Sequence, residues 1–99
     1  MKLCFDLDGT LCTNTYGEYE KAEPFYSRIQ LVNKLYEQDN YIIVESARGS
    51  TTKIDWQEFT LKQLNSWGLK FHLLRTGVKI DADIYIDDKA INDKQYFLD

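Results

Sequence analysis

The sequence is poor in the residues that staple, interrupt or extend a small protein. It holds two cysteines, Cys4 and Cys12, and one histidine, His72. Two thiols and one imidazole at these separations do not complete a tetrahedral set, which argues against both a zinc site and a disulfide framework. Cys4, inside an apolar run, and Cys12 both read as small core residues. His72 falls in a proposed strand away from any acidic cluster and reads as a surface or edge residue. Pro24 is the one proline, and five glycines are dispersed along the chain, so there is no linker, repeat or low-complexity segment. No apolar run approaches the ~20 residues that span a bilayer. Met1 to Asp6 lacks the apolar core of a signal peptide, so a cytoplasmic location with no membrane partner is expected. Basic charge is scarce: Lys and Arg number 12 against 16 Asp and Glu, for a net charge of −4. Those cations are scattered rather than gathered in a stripe, which weighs against a nucleic-acid partner.

What is present suffices for one domain. A chain of 99 residues buries roughly 65% of its unfolded surface and has none to spare for a second core. Its alternation of elements predicts an α/β fold. Leu3-Cys4-Phe5 is a short apolar run ending in acid, as in a buried parallel strand. From Pro24, the residues Phe25, Ile29, Val32, Leu35 and Tyr36 recur at helical spacing, with Asp39-Asn40 as the stop. Tyr41 to Val44 is a β-branched strand. Asp55 and Glu58 resemble a capping box opening a helix over Trp56, Phe59, Leu64 and Trp67, which Gly68 ends. These three aromatics read as core or helix-face residues. Leu69, Phe71 and Leu73 alternate as a third strand, and Ile84-Tyr85-Ile86 read as a fourth. Residues 90–99 fit either a short helix or an edge segment. The loop from Leu11 to Glu23 is too long for a bare turn, and Tyr16-Gly17-Glu18 suits the tip of a small hairpin over the sheet's edge.

Acidic or hydroxyl residues follow three of the proposed strands: Asp6 and Asp8, then Ser46, then Asp87 and Asp88. Ligands of open α/β sheets sit at the C-terminal strand ends, near a topological switch point. Neighbouring strands would bring these side chains into one small volume, where four carboxylates repel unless a cation lies among them. Hard oxygen donors without histidine point to Mg2+ rather than zinc.

Asp6-Leu7-Asp8-Gly9-Thr10-Leu11 resembles the signature of the haloacid dehalogenase-like superfamily, and the resemblance runs over essentially the whole chain. It implies a Rossmann-like core with sheet order 3-2-1-4, and a phosphatase in which Asp6 attacks phosphorus to form an aspartyl-phosphate. Asp8 would protonate the leaving oxygen and then activate water. Gly9 would let the chain turn sharply behind the strand. Ser46 resembles the superfamily's Thr/Ser that holds a phosphoryl oxygen, and Lys79 its basic residue, which offsets charge on nucleophile and phosphate. Asp87 and Asp88 resemble its acidic pair, the first on the metal directly and the second through water, with Asp6 and the Asp8 carbonyl as the other ligands. The small capsule-biosynthesis phosphatases are the nearest look-alikes, with a similar Ala47-Arg48-Gly49, Asp55-Trp56 and Asp87-to-Asn92 ending. Gly9, Ala47 and Arg48 are accordingly candidate phosphate-binding residues, beside Ser46 and Lys79. Arg48 either binds substrate or buttresses a loop through backbone carbonyls. Two departures stand out: Ser46 where Thr is expected, and Ile80 where Pro is expected after Lys79.

By this resemblance the substrate is a small phosphorylated metabolite, a sugar or polyol phosphate of surface-polysaccharide synthesis. A nucleotide, a nucleic-acid end, a phosphoprotein and a non-catalytic binding role are the alternatives. Superfamily caps are inserted after the first motif or between the hydroxyl and the lysine, and neither interval leaves residues for one. A site without a cap needs cover, from the Leu11–Glu23 loop helped by a neighbouring subunit or from a bulky substrate that forms its own lid, and Tyr16 and Tyr19 suit that loop to an interface. A weak homo-oligomer with that loop near the contact is therefore expected.

Overall fold

The computed structural model describes residues 1–99. Strand β1, Lys2–Asp6, pairs in parallel with β2, Tyr41–Ser46, which pairs in parallel with β3, Leu73–Thr76. The sheet is three-stranded in the order β1-β2-β3. Helix α1, Tyr26–Glu37, and helix α2, Gln57–Ser66, are the crossovers, and a short helix α3 covers Asp93–Phe97. Parallel neighbours cannot be joined by tight turns, so each crossover takes a helix, and the helix covers a sheet face as it returns.

The period of two along the strands sorts the side chains. Phe5 in β1, Ile42 and Val44 in β2 and Leu74 in β3 are buried and share one face by register. Ile29 and Val32 of α1 and Leu64 of α2 close over them, with Leu7, Leu11, Cys12, Ala22 and Leu69 completing one core. Tyr96 and Phe97 of α3 lie against Phe5, at centroid distances of 5.9 and 6.0 Å. On the opposite face Leu73, at 39% exposure, and Cys4 are exposed.

Several expectations shift on this frame. Cys4 is not a core residue; it occupies a strand position on the uncovered face and is exposed. Cys12 is buried as expected. The first helix begins at Tyr26, two residues later than Pro24 suggests, because Phe25 takes the N-cap position. Asp39 adopts φ +68° and the Asn40 side chain donates to the Leu35 carbonyl, which ends the helix as anticipated. Asp55 and Glu58 form no capping box; instead the Asp55 carboxylate accepts the Gln57 N–H at 2.9 Å. Leu69 belongs to the end of α2, its N–H donating to the Leu64 carbonyl, so β3 starts only at Leu73. His72 lies at the sheet's N-terminal edge, stacked between Tyr36 and Tyr41 at 4.4 and 4.7 Å.

The largest difference is at Ile84-Tyr85-Ile86, which forms no strand. Ile84 is 76% and Ile86 96% exposed. Only three apolar residues stand here between the Asp81/Asp83 and Asp87/Asp88 carboxylates, and local turns take the polar groups. The Tyr85 hydroxyl donates to the Ile80 carbonyl and accepts the Ala82 N–H, while the Asp87 carboxylate accepts the Lys89 N–H. The outer edge of β1 is consequently unpaired.

Candidate active site

The chain leaves β1 at Asp6 and turns at once. Gly9, at φ +87°, takes the left-handed region that the turn requires. Its N–H donates to the Cys12 carbonyl, and the Leu11 N–H to the Leu7 carbonyl, a tight loop that presents Asp6 and Asp8 at the C-terminal edge of the sheet. The arms beyond it pair as a hairpin base: Cys12 bridges Pro24 in antiparallel sense, and the Thr13 N–H donates to the Glu23 carbonyl. Tyr16, at φ +55°, and Gly17 form the tip, and a single 3₁₀ turn over Tyr19–Lys21 brings the chain back.

Asp6 and Asp8 meet in one cavity of about 500 Å³, whose wall also includes Ala47, Arg48, Asn14 and Tyr16. Their charges are balanced separately. Lys79 Nζ lies 3.0 Å from Asp6 Oδ1, and the Thr10 hydroxyl donates to Asp6 Oδ2 at 3.0 Å. The Lys79 ammonium also sits 4.6 Å from the Tyr85 ring centroid, which limits its swing. Asp8 accepts both arms of the Arg48 guanidinium, Nε to Oδ2 at 2.9 Å and Nη2 to Oδ1 at 2.8 Å. This fork is the strong, geometrically specific kind of ion pair. The Cys12 thiol donates to Asp8 Oδ1 at 3.5 Å. Burial and the nearby Asp8 charge push that thiol up to about 12, so it stays neutral and is no soft metal ligand.

The remaining expected residues are placed unequally. Ser46 is buried at the end of β2, and its hydroxyl accepts the Arg48 N–H at 3.0 Å. It is not among the residues lining the cavity, whereas Ala47 and Arg48 are. Asp87 borders a separate open groove of about 950 Å³ along the β1 edge, shared with Asp6 and Lys79. The Lys89 N–H and the adjoining Asp88 hold its carboxyl below the usual range, so it serves its own turn. Asp88 is exposed and lines neither cavity. The four carboxylates therefore do not converge, and no three acidic, histidine or cysteine side chains gather closely enough to hold a metal. As arranged, the donors fit Mg2+ in kind, being hard oxygens, but not in number.

Sequence reasoning did not single out Asn14, Thr51, Thr52 and Asp81, which also line the Asp6–Asp8 cavity. They carry no spacing signal, since the loop's path alone brings them there. Thr60 and Gln63, whose side chains accept from Arg48 Nη1 at 3.2 and 2.7 Å, were missed too, because α2 is mostly polar and two more polar residues do not stand out in it.

No family model matches the chain, and no curated protein matches it. Among solved structures, a crystal structure of a structural-genomics target from Vibrio cholerae has the same fold at a TM-score of 0.85. It is 22% identical, and the match covers 97% of this chain and 86% of that one.

Proposed function

We propose that the protein is a phosphoric monoester hydrolase of the haloacid dehalogenase-like type, with Asp6 as nucleophile. The observation that carries the reading is the pairing of Asp6 and Asp8 across one cavity, each held by a different cation. In the first step an Asp6 oxygen bonds to phosphorus while the bond from phosphorus to the leaving oxygen breaks. A proton from Asp8 goes to that oxygen, which departs as an alcohol. In the second step water attacks the phosphorus of the aspartyl-phosphate and gives its proton to Asp8. The Asp6 oxygen leaves, and free phosphate and both carboxyl groups are restored. Lys79, 3.0 Å from Asp6, offsets the charge that gathers on nucleophile and phosphate. The Ser46 hydroxyl and the Ala47 N–H are our candidates for the phosphoryl oxygens, the Arg48 N–H being already given to Ser46.

The finer fold belongs to the same proposal. Residues 84–86 would add to the unpaired edge of β1 and give the order 3-2-1-4. The groove between β1 and that segment is the space they would close. Asp87, with Asp88 through water, would then join Asp6 and the Asp8 carbonyl as a Mg2+ set. A small sugar or polyol phosphate is our proposed substrate, because Asn14, Thr51 and Thr52 supply neutral hydrogen-bonding groups along the cavity. A phosphate-release screen over sugar, polyol and nucleotide monoesters with Mg2+ tests the reading. We expect release that EDTA and Asp6→Asn both abolish. Undiminished release by purified Asp6→Asn protein would remove Asp6 as nucleophile.

A further inference from the structure

Arg48 is a cation with no access to water: its side chain is 0% exposed. Burying an unpaired guanidinium is prohibitive, so where its N–H groups go defines its task. Two go to Asp8, as described. Nη1 donates to Thr60 Oγ1 at 3.2 Å and to Gln63 Oε1 at 2.7 Å. Four of the five N–H donors are thus committed to protein acceptors, two on Asp8 and two on α2. A phosphate in the cavity would find at most one free donor, on a group sealed from solvent. The guanidinium carbon also lies 4.4 Å from the Tyr19 ring centroid, and Gln63 Nε2 donates to the Tyr19 carbonyl at 2.8 Å. The site loop, α2 and Asp8 all meet at this one side chain.

We infer that Arg48 is a positioning residue that fixes the Asp8 carboxyl for proton transfer to the leaving group, and not a clamp for the substrate's phosphate. The inference rests on the proposed role of Asp8. A carboxylate oxygen has two lone-pair sites; the fork uses one on each oxygen and the Cys12 thiol the second on Oδ1, which leaves Oδ2 able to carry the proton. Two bonds to α2, an element locked into the core by Leu64, hold the fork against rotation. A misplacement near 1 Å in such a group costs on the order of 10²-fold.

The test compares kcat/KM for two esters that differ in their need of a proton. 4-Nitrophenyl phosphate releases a stabilised anion, whereas glycerol phosphate must release a protonated alkoxide. Arg48→Met should lower the glycerol phosphate value by ~10²-fold and the nitrophenyl value by less than about threefold. Asp8→Asn should show the same imbalance, and adding Arg48→Met to it should not increase the imbalance. Gln63→Met, which removes one bond to Nη1 and keeps the buried cation paired, should move the ratio the same way by about tenfold. It carries the test if Arg48→Met fails to fold. Equal losses on both esters, or no change of ratio in either variant, overturn the inference while leaving the phosphatase reading intact. If the wild-type protein hydrolyses neither ester, the reading falls and the inference falls with it.

Discussion

At Asp8 two demands meet in one side chain, since the group proposed to shuttle a proton also neutralises a buried guanidinium. Asp8→Asn should slow turnover by ~10² to 10⁴-fold, the usual worth of acid–base assistance. Because the amide no longer balances Arg48, the same variant should also lose about 1–3 kcal/mol of stability, read by urea unfolding. Activity per folded molecule, not per milligram, is then the fair comparison. The two thiols make a separate prediction. Cys12 is buried with its ionisation pushed up to about 12 from an ordinary 9.0, so at pH 8 only ~10⁻⁴ of it is thiolate. An alkylating reagent should label the exposed Cys4 and spare Cys12 until the protein unfolds, as peptide mass mapping would reveal. The raised value also fixes a sign. The neutral buried thiol supports the fold fully below about pH 9, and that support is lost as pH climbs toward 12.

At the scale of elements, the connection from β2 to α2 is built around Gly49. It adopts φ +85°, and a Cβ there would stand 2.1 Å from the Ile54 carbonyl oxygen. Gly49→Ala should cost more than about 2 kcal/mol, because backbone must move as well as strain. Gly17→Ala, with nothing within 4 Å of its would-be Cβ, should cost only the left-handed term of about 1 kcal/mol. Thermal unfolding of the two variants side by side would read the difference. These elements also mark what the sequence could reveal. The strand at Tyr41–Val44 and the helix over Ile29 and Val32 were legible because burial on one side imposes a period. Asp6, Asp8 and Lys79 were legible as one site because each follows a strand or lies in a recognisable order. The start of β3 was not, because Leu69, bonded to the end of α2, and Phe71, packed against the core, show the same alternation a strand would show. Nor was the partner of Arg48, since the ion pair joins positions 40 residues apart, a distance no local pattern records. Ile84-Tyr85-Ile86 has strand composition, yet three residues flanked by acids secure too little burial to fix their own placement.

The whole molecule is tied together at Arg28. Its guanidinium donates to the Thr10 carbonyl at 2.9 Å, to Asp93 at 2.7 Å and to both oxygens of Asp99 at 2.7 and 2.6 Å, and lies 4.7 Å from the Phe97 ring centroid. One side chain on α1 thus joins α3 to the loop behind Asp6, where Thr10 in turn holds the Asp6 carboxylate. Arg28→Met should destabilise by about 2–3 kcal/mol. Arg28 also holds the Asp99 carboxyl below its ordinary 3.8. A depressed carboxyl supports the fold above its unfolded value and loses that support as pH falls through the lowered one. Acid unfolding should therefore become less steep below about pH 4 in Asp99→Asn, which a pH titration of the circular dichroism would detect. No helix here is long and apolar enough to cross a membrane. We propose the cytoplasm as its site of action, with a weak homo-oligomer covering the Tyr16 loop; light scattering would read the association. The central claim, a covalent phosphoryl group on Asp6, has its most direct test in a borohydride quench during turnover of a phosphate monoester. Hydride reduces an acyl phosphate to an alcohol, so mass mapping should find the peptide carrying Asp6 converted, and unconverted without substrate. Sustained hydrolysis with no conversion at Asp6, or conversion at another carboxylate, would contradict the account.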